Sequence, residues 1–217
     1  MYDFADVIDV GAATQVTPGS SVLVSGPAMT GKDALLFDLL ADGGRDGEGA
    51  VGVTTGDRAA DWIGGLESRA PGVADHQLGV IDCRAERNHD DPDSGVYVHH
   101  VGSPSDLTGM GIGITESFER LHDAGIDQGR LGLSSLSTML TYSDKETVFK
   151  FCHVLSSRLD AAGFLGFFTI DSSAHDDQTL QVIKQAFDGL VEIQEIESGR
   201  EARVRGLRPG PSEWVEL

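Results

Sequence analysis

The sequence predicts a doubly wound α/β fold: a mostly parallel sheet with helices on both faces and a C-terminal antiparallel hairpin. Three observations predict it. Apolar runs of strand length alternate with segments of helical periodicity along the chain. One run, residues 164–171, is nearly all apolar, as expected of a strand buried on both faces at the centre of a parallel sheet. The last two runs, residues 189–197 and 201–207, flank Ser198-Gly199, a turn dipeptide that predicts a hairpin.

Pro18-Gly19-Ser20 makes a turn ahead of a short apolar strand at residues 21–25. A glycine-rich loop follows at once, and residues 33–40 carry apolar side chains at helical spacing. Residues 50–55 read as strand, 58–69 as helix and 77–83 as strand. Residues 85–95 are polar and acidic, a surface loop, and 96–101 form a short strand. Residues 105–124 read as helix despite Gly109, Gly111 and Gly113. Residues 130–135 are a buried strand, 145–162 a strongly amphipathic helix, and 175–187 a helix after the central strand. No repeat and no linker interrupts this order, so residues 1–217 are expected to form one domain, long enough for a sizeable core.

The strongest local signal is Gly26-Pro27-Ala28-Met29-Thr30-Gly31-Lys32-Asp33. It fits G-x-x-x-x-G-K-[ST] except at its last place. That pattern wraps backbone N–H groups around phosphates, directs a lysine at the β and γ phosphates, and holds Mg²⁺ with its final hydroxyl. The strand before it and the helix after it supply the context the motif requires. Only four residues of the chain are lysine, so one placed between Gly31 and a helix start points to a task. The carboxylate of Asp33 stands where the metal-binding hydroxyl belongs.

The chain carries 16 Lys and Arg against 35 Asp and Glu, a formal balance of −19, with Asp exceeding Glu about two to one. The acids are dispersed. This Lys-poor, Asp-rich composition fits the cytoplasm of a salt-accumulating halophile, where molar salt screens self-repulsion. In ordinary salt such a charge argues against binding nucleic acid, and no aromatic-plus-basic stripe offers a single-strand platform. No apolar run reaches 18 residues, which excludes a membrane-spanning helix as the expected form. The acidic start of the chain lacks the order of a signal peptide, and Cys83 and Cys152 form no C-x-x-C pair, so a reduced, cytoplasmic protein is expected.

Across residues 22–32, Arg130-Leu131-Gly132-Leu133-Ser134-Ser135-Leu136-Ser137-Thr138-Met139-Leu140, residues 163–171 and Arg203-Val204-Arg205-Gly206, the order and spacing resemble the KaiC-like branch of the RecA superfamily of ATPases, in particular short haloarchaeal members with degenerate Walker motifs. The resemblance implies a RecA-like P-loop NTPase sheet. It also implies ATP or ADP as ligand, with Mg²⁺ in doubt, and a homo-oligomer, hexameric in the family, or another protein partner.

It assigns residues as well. Ser134 stands where the family places the aspartate that orients the metal's water shell. Thr54-Thr55-Gly56-Asp57 stands where active members carry the carboxylate that activates water, with Asp57 two or three residues late. Asp33 either ligates Mg²⁺ directly, as a hard oxygen donor, or simply begins a helix where negative charge is favourable. Asp171, at the carboxyl end of the central strand, either senses the γ phosphate or a metal, or caps the following helix through Asp171-Ser172-Ser173. Arg203 and Arg205 resemble the K-x-R segment that family hexamers project into a neighbour's site; otherwise they are alternating exposed residues of an edge strand. His99 and His100, on one strand, point to opposite faces, and Trp62 and Trp214 are packing residues.

The expected function is therefore a degenerate ATP-binding protein with a regulatory or assembly role and weak or no hydrolysis. The alternatives are an active ATPase using Asp33 and Asp57 as substitute metal and water residues, or a scaffold that kept only the fold.

Overall fold

In the computed structural model, which describes residues 1–10, 14–84, 94–208 and 210–217, every described strand but an isolated bridge joins one sheet. In chain order these are β1 (Ser21–Gly26), β2 (Gly49–Thr54), β3 (Leu78–Asp82), β4 (Tyr97–His100), β5 (Gly129–Ser134), β6 (Leu165–Asp171), β7 (Gly189–Ile196), β8 (Gly199–Arg205) and β9 (Val215–Glu216). The spatial order is β4-β3-β2-β5-β6-β1-β7-β8-β9. All pairs from β4 to β7 are parallel, while β7–β8 and β8–β9 are antiparallel. The predicted α/β class, the mostly parallel sheet and the C-terminal hairpin are all present.

The helices are α1 (Lys32–Arg45), α2 (Ala59–Glu67), α3 (Leu107–Asp123), α4 (Leu136–Tyr142), α5 (Lys145–Ala162) and α6 (Asp177–Lys184). They cover both faces of the sheet, and strand alternation decides which side chain meets which layer. On β1, Val22 and Val24 face α1 and α2, and Leu23 faces α3 to α6. On β6, Leu165 and Phe167 join the first cluster, Phe168 and Ile170 the second. A strand apolar at every position is thus what a double-sided core demands.

The boundaries differ from expectation where capping chemistry intervenes. The helix expected over residues 175–187 starts only at Asp177, because Asp176 accepts the Thr179 N–H at 2.6 Å and so stands outside the helix as its cap. The helix at 33–40 continues to Arg45. The strand expected over 130–135 ends at Ser134, since Ser135 caps the unforeseen α4 through the Thr138 N–H. The two-residue β9 was also unforeseen. Of the acidic segment at 85–95, residues 85–93 lie outside the described residues.

Beneath α1, Arg130 is 1 % exposed and bonded on every side: to Glu48 Oε2 at 2.7 Å, Asp42 Oδ2 at 2.9 Å, and the carbonyls of Leu39 and Asp3. Cys83 and Cys152 are buried free thiols whose ionisation burial pushes upward, Cys152 to about 12. Among the described residues, no helix is long and apolar enough to cross a membrane.

Candidate functional site at the phosphate loop

The loop from Gly26 to Asp33 leaves β1 at the carboxyl edge of the parallel sheet, where ligands of open α/β sheets bind. It closes on itself. Thr30 donates its hydroxyl to the Pro27 carbonyl at 2.8 Å, and Lys32 Nζ donates to the same carbonyl. Gly26 has to be glycine, because a Cβ there would stand 2.8 Å from Thr30 Oγ1 and 3.0 Å from Ile193 Cβ. Gly31 turns the chain into α1 with φ 78°, the left-handed region that glycine enters without penalty. Met29, at the loop tip, is 96 % exposed.

No side chain caps the N-terminus of α1 or of α2, whereas Asp106, Ser135, Asp144 and Asp176 cap α3, α4, α5 and α6. The first-turn N–H groups of α1 are therefore left for an external acceptor, at the positive end of the helix dipole. Lys32 is the first residue of that helix and is buried. Burial lowers its pKa, against the pull of the Asp171 and Asp33 carboxylates.

The other expected residues gather at this edge. Ser134, ending β5, donates its hydroxyl to Asp33 Oδ1 at 2.9 Å. Asp171, ending β6, accepts from Ser173 N at 2.8 Å and Ser173 Oγ at 2.6 Å. Burial works to raise its pKa, but the Ser173 hydrogen bonds and nearby Lys32 hold it below the usual carboxylate value. Asp171 therefore closes a local turn; the helix cap that follows is Asp176. Ser173 Oγ also receives the Ala28 N–H of the loop at 3.3 Å.

The place of the water-activating carboxylate is filled differently. Thr55 is buried and stitches β2 to β5: its N–H and its hydroxyl both donate to Ser134 O, at 2.8 and 3.0 Å, and its Oγ1 accepts the Ser135 N–H at 3.0 Å. Asp57 lies one turn on, tied by backbone to the Thr54 hydroxyl. Its pKa is raised by desolvation and by the carboxylates of Asp33 and Asp61, with Arg84 opposing. Asp57 and Asp33 thus share one electrostatic neighbourhood.

Arg203 and Arg205 stand elsewhere. Both meet Glu192 Oε2, at 2.6 and 3.5 Å, and the Arg203 guanidinium lies 4.5 Å over the Trp214 ring, which holds the C-terminal segment against the hairpin. Trp62 is buried, as expected. Among the described residues no group of three His, Cys, Asp or Glu side chains is arranged to hold a metal ion.

Three features escaped the sequence. Arg200 Nη1 donates to the Thr30 carbonyl of the loop at 3.0 Å. Asp82, buried at the end of β3, is paired with Arg84 at 2.8 Å; burial raises its pKa but the Arg84 bonds bring it below the usual value. Beside this pair, Thr55, Cys83, Ser103 and Tyr142 help line a cavity of about 280 Å³. None of these belongs to a motif, and only strand parity on β8 carried a trace of the first.

The model of a family described as "Family of unknown function (DUF7504)" matches residues 19–193. No curated protein matches the chain. Among solved structures, a KaiC-like protein, PH0186, from the hyperthermophilic archaeon Pyrococcus horikoshii OT3 is similar with a TM-score of 0.62 at 14% identity, over 97% of this chain and 88% of that one. An uncharacterized protein, PH0321, from Pyrococcus horikoshii, solved in complex with an unknown peptide, is similar with a TM-score of 0.69 at 13% identity, over 91% of this chain and 87% of that one. At these identities the likeness is one of fold: the chain has a KaiC-like, RecA-like fold.

Proposed function

The chain belongs to the family of unknown function DUF7504, and from that premise we propose that it binds ATP or ADP at the phosphate loop and hydrolyses it slowly or not at all. Residues 1–217 act as one domain, and nucleotide occupancy works in regulation or assembly by shifting the population of an interface state, in an oligomer or with a protein partner. The observation that carries this reading is Lys32, a scarce lysine held buried inside a closed loop at an uncapped helix start. Burial disfavours its charge even with the Asp171 and Asp33 carboxylates nearby, and a phosphate would add counter-charge inside the loop itself.

ATP fits these residues: Gly31 admits close backbone approach, the first-turn N–H groups of α1 are donors, and Lys32 is the cation. Mg²⁺ fits less well. Asp33 and Ser134 are the residues that would hold it, but they are already bonded to each other, and the ion would need phosphate oxygens to complete its shell. Bound there, the metal would neutralise phosphate charge. Slow turnover follows from Thr55, whose hydroxyl and N–H are spent on Ser134 in place of a carboxylate aimed at water.

The test is calorimetry with ATP and ADP in multimolar KCl, with Mg²⁺ and with EDTA, on the wild type and Lys32→Ala. Binding that falls by about tenfold or more in Lys32→Ala supports the site, the loss expected for a hydrogen bond to a charged group. Absence of binding by the wild type overturns it and leaves a scaffold.

A second reading, an active ATPase, is favoured by the raised pKa of Asp57 beside Asp33, since a carboxylate with raised pKa is a better proton acceptor. Phosphate release that disappears in Lys32→Ala and in Asp57→Asn would establish it.

A further inference from the structure

Strand alternation divides the three arginines of β8 between its two faces. Arg203 and Arg205 share a face with Glu192 and are paired to it. Arg200 shares its face with Ala202 and Val204, which are buried in the cluster that also holds α1. Its side chain turns back over the phosphate loop. Besides the 3.0 Å bond to the Thr30 carbonyl, its Nη1 lies 1.7 Å from where a Cβ on Gly31 would stand. Among the described residues it forms no ion pair. Its guanidinium, bonded to a neutral carbonyl and, among the described residues, to no carboxylate, therefore rests on the loop.

The backbone of the same residue is tied in the other direction. Arg200 O accepts the Leu217 N–H at 3.0 Å, and the next two residues, Glu201 and Ala202, pair with Glu216 and Val215 of β9. One residue so joins the phosphate loop to the last strand.

Resting on the nucleotide reading above, we propose that Arg200 is a phosphate ligand supplied in cis, and that it reports nucleotide occupancy to β9. A phosphate oxygen is a stronger acceptor than a peptide carbonyl, because charge-assisted hydrogen bonds are about twice as strong as neutral ones. The planar guanidinium also suits phosphate geometry. A polyphosphate in the loop thus offers Arg200 a better partner than Thr30 O within reach of the same side chain. Releasing Thr30 moves the start of β8, to which β9 is held by two residue pairs and the Leu217 bond. So short a strand is poorly protected against opening, and a small bias shifts its population.

The experiment is hydrogen exchange over residues 199–202 and 215–217, with and without ADP or ATP in multimolar KCl, alongside calorimetry, for the wild type, Arg200→Ala, Arg200→Lys and Arg205→Ala. In the wild type, nucleotide is expected to change exchange in both segments. Arg200→Ala should bind about tenfold more weakly and lose the response at 215–217. Arg200→Lys should recover part of the affinity through its charge, a rescue that a purely packing role would not give. Arg205→Ala, which removes a contact to Glu192 of β7 and leaves the Arg203–Trp214 stacking in place, should keep the response. Should Arg200→Ala melt early, Arg200→Gln, which keeps a donor without the charge, makes the same comparison. Unchanged affinity with an intact response in the neutral variant overturns the role of Arg200 alone. Failure of the wild type to bind nucleotide overturns the site itself, and this inference with it.

Discussion

Ser134 donates its hydroxyl to Asp33 Oδ1 across 2.9 Å. The hydroxyl and the carboxylate that the family resemblance expects on either side of a metal are therefore both present, with their positions exchanged. Restoring the usual order tests whether the exchange weakened the metal's hold. The double variant Asp33→Thr/Ser134→Asp should bind ATP more tightly with Mg²⁺ than with EDTA, by about tenfold, the worth of one charged contact. Asp33→Thr alone, which leaves no carboxylate at either place, should show no such gain. Calorimetry in the two buffers reads both. Indifference of the double variant to Mg²⁺ would locate the defect elsewhere.

Gly31→Ala meets two obstacles. The left-handed backbone at φ 78° costs a residue bearing a Cβ about 1–2 kcal/mol. The new methyl also displaces the Arg200 guanidinium, whose Nη1 lies 1.7 Å from the Cβ position. Denaturant unfolding should show a loss of at least about 1 kcal/mol. Adding Arg200→Ala should return the steric part only, so the double variant is more stable than the sum of the single losses predicts.

Asp57 predicts a pH dependence of definite sign. Its folded pKa is raised above the ordinary 3.8, by desolvation first and by Asp33 and Asp61 next. Between the unfolded and folded values the folded chain binds more protons, so this residue's contribution makes stability fall as pH rises through that window. Asp57→Asn should remove that slope and leave the fold at least as stable at neutral pH. Unfolding curves from pH 3 to 7 check it; a variant less stable at neutral pH would contradict the sign.

Arg130→Ala should cost about 3–5 kcal/mol, because it strands the Asp42 and Glu48 carboxylates beneath α1 without their cation. Both pairs are shielded from solvent, so the loss should change little between low and multimolar KCl. The stability of the wild type itself should rise with KCl as the charge of −19 is screened. Parallel melts across a salt series separate the two effects.

The alternation of strands and helices was legible in the sequence because a double-sided core makes its strands apolar at nearly every position, as in β6. The phosphate loop was legible because its residues are contiguous. What was lost is what contiguity does not encode. The seven-residue α4 is too short to show a period, and β9 has only two residues. Arg200 acts on Thr30 from 170 positions away, so no local pattern marks it. Parity did hold the clue: Ala202 and Val204 are the apolar positions of β8, and Arg200 is in step with them while Arg203 and Arg205 are not. Of the two readings of Asp171, the helix cap is the one the structure gives to another residue: Asp171-Ser172-Ser173 and His175-Asp176-Asp177 offer the same chemistry, and only the second faces a helix start.

The two buried thiols turn this chain into its own stopwatch. Only a thiolate attacks an alkylating reagent, and burial keeps both as closed-in thiols, so each is labelled only when its surroundings part. Cys83 follows β3 and lines the cavity beside Thr55 and Arg84, whereas Cys152 lies within α5, in the helical layer. Their labelling rates therefore time two events, the breathing of the β2 and β3 ends around that cavity and the opening of a helix layer. A ligand that slows the first and spares the second would announce its address without a single engineered probe.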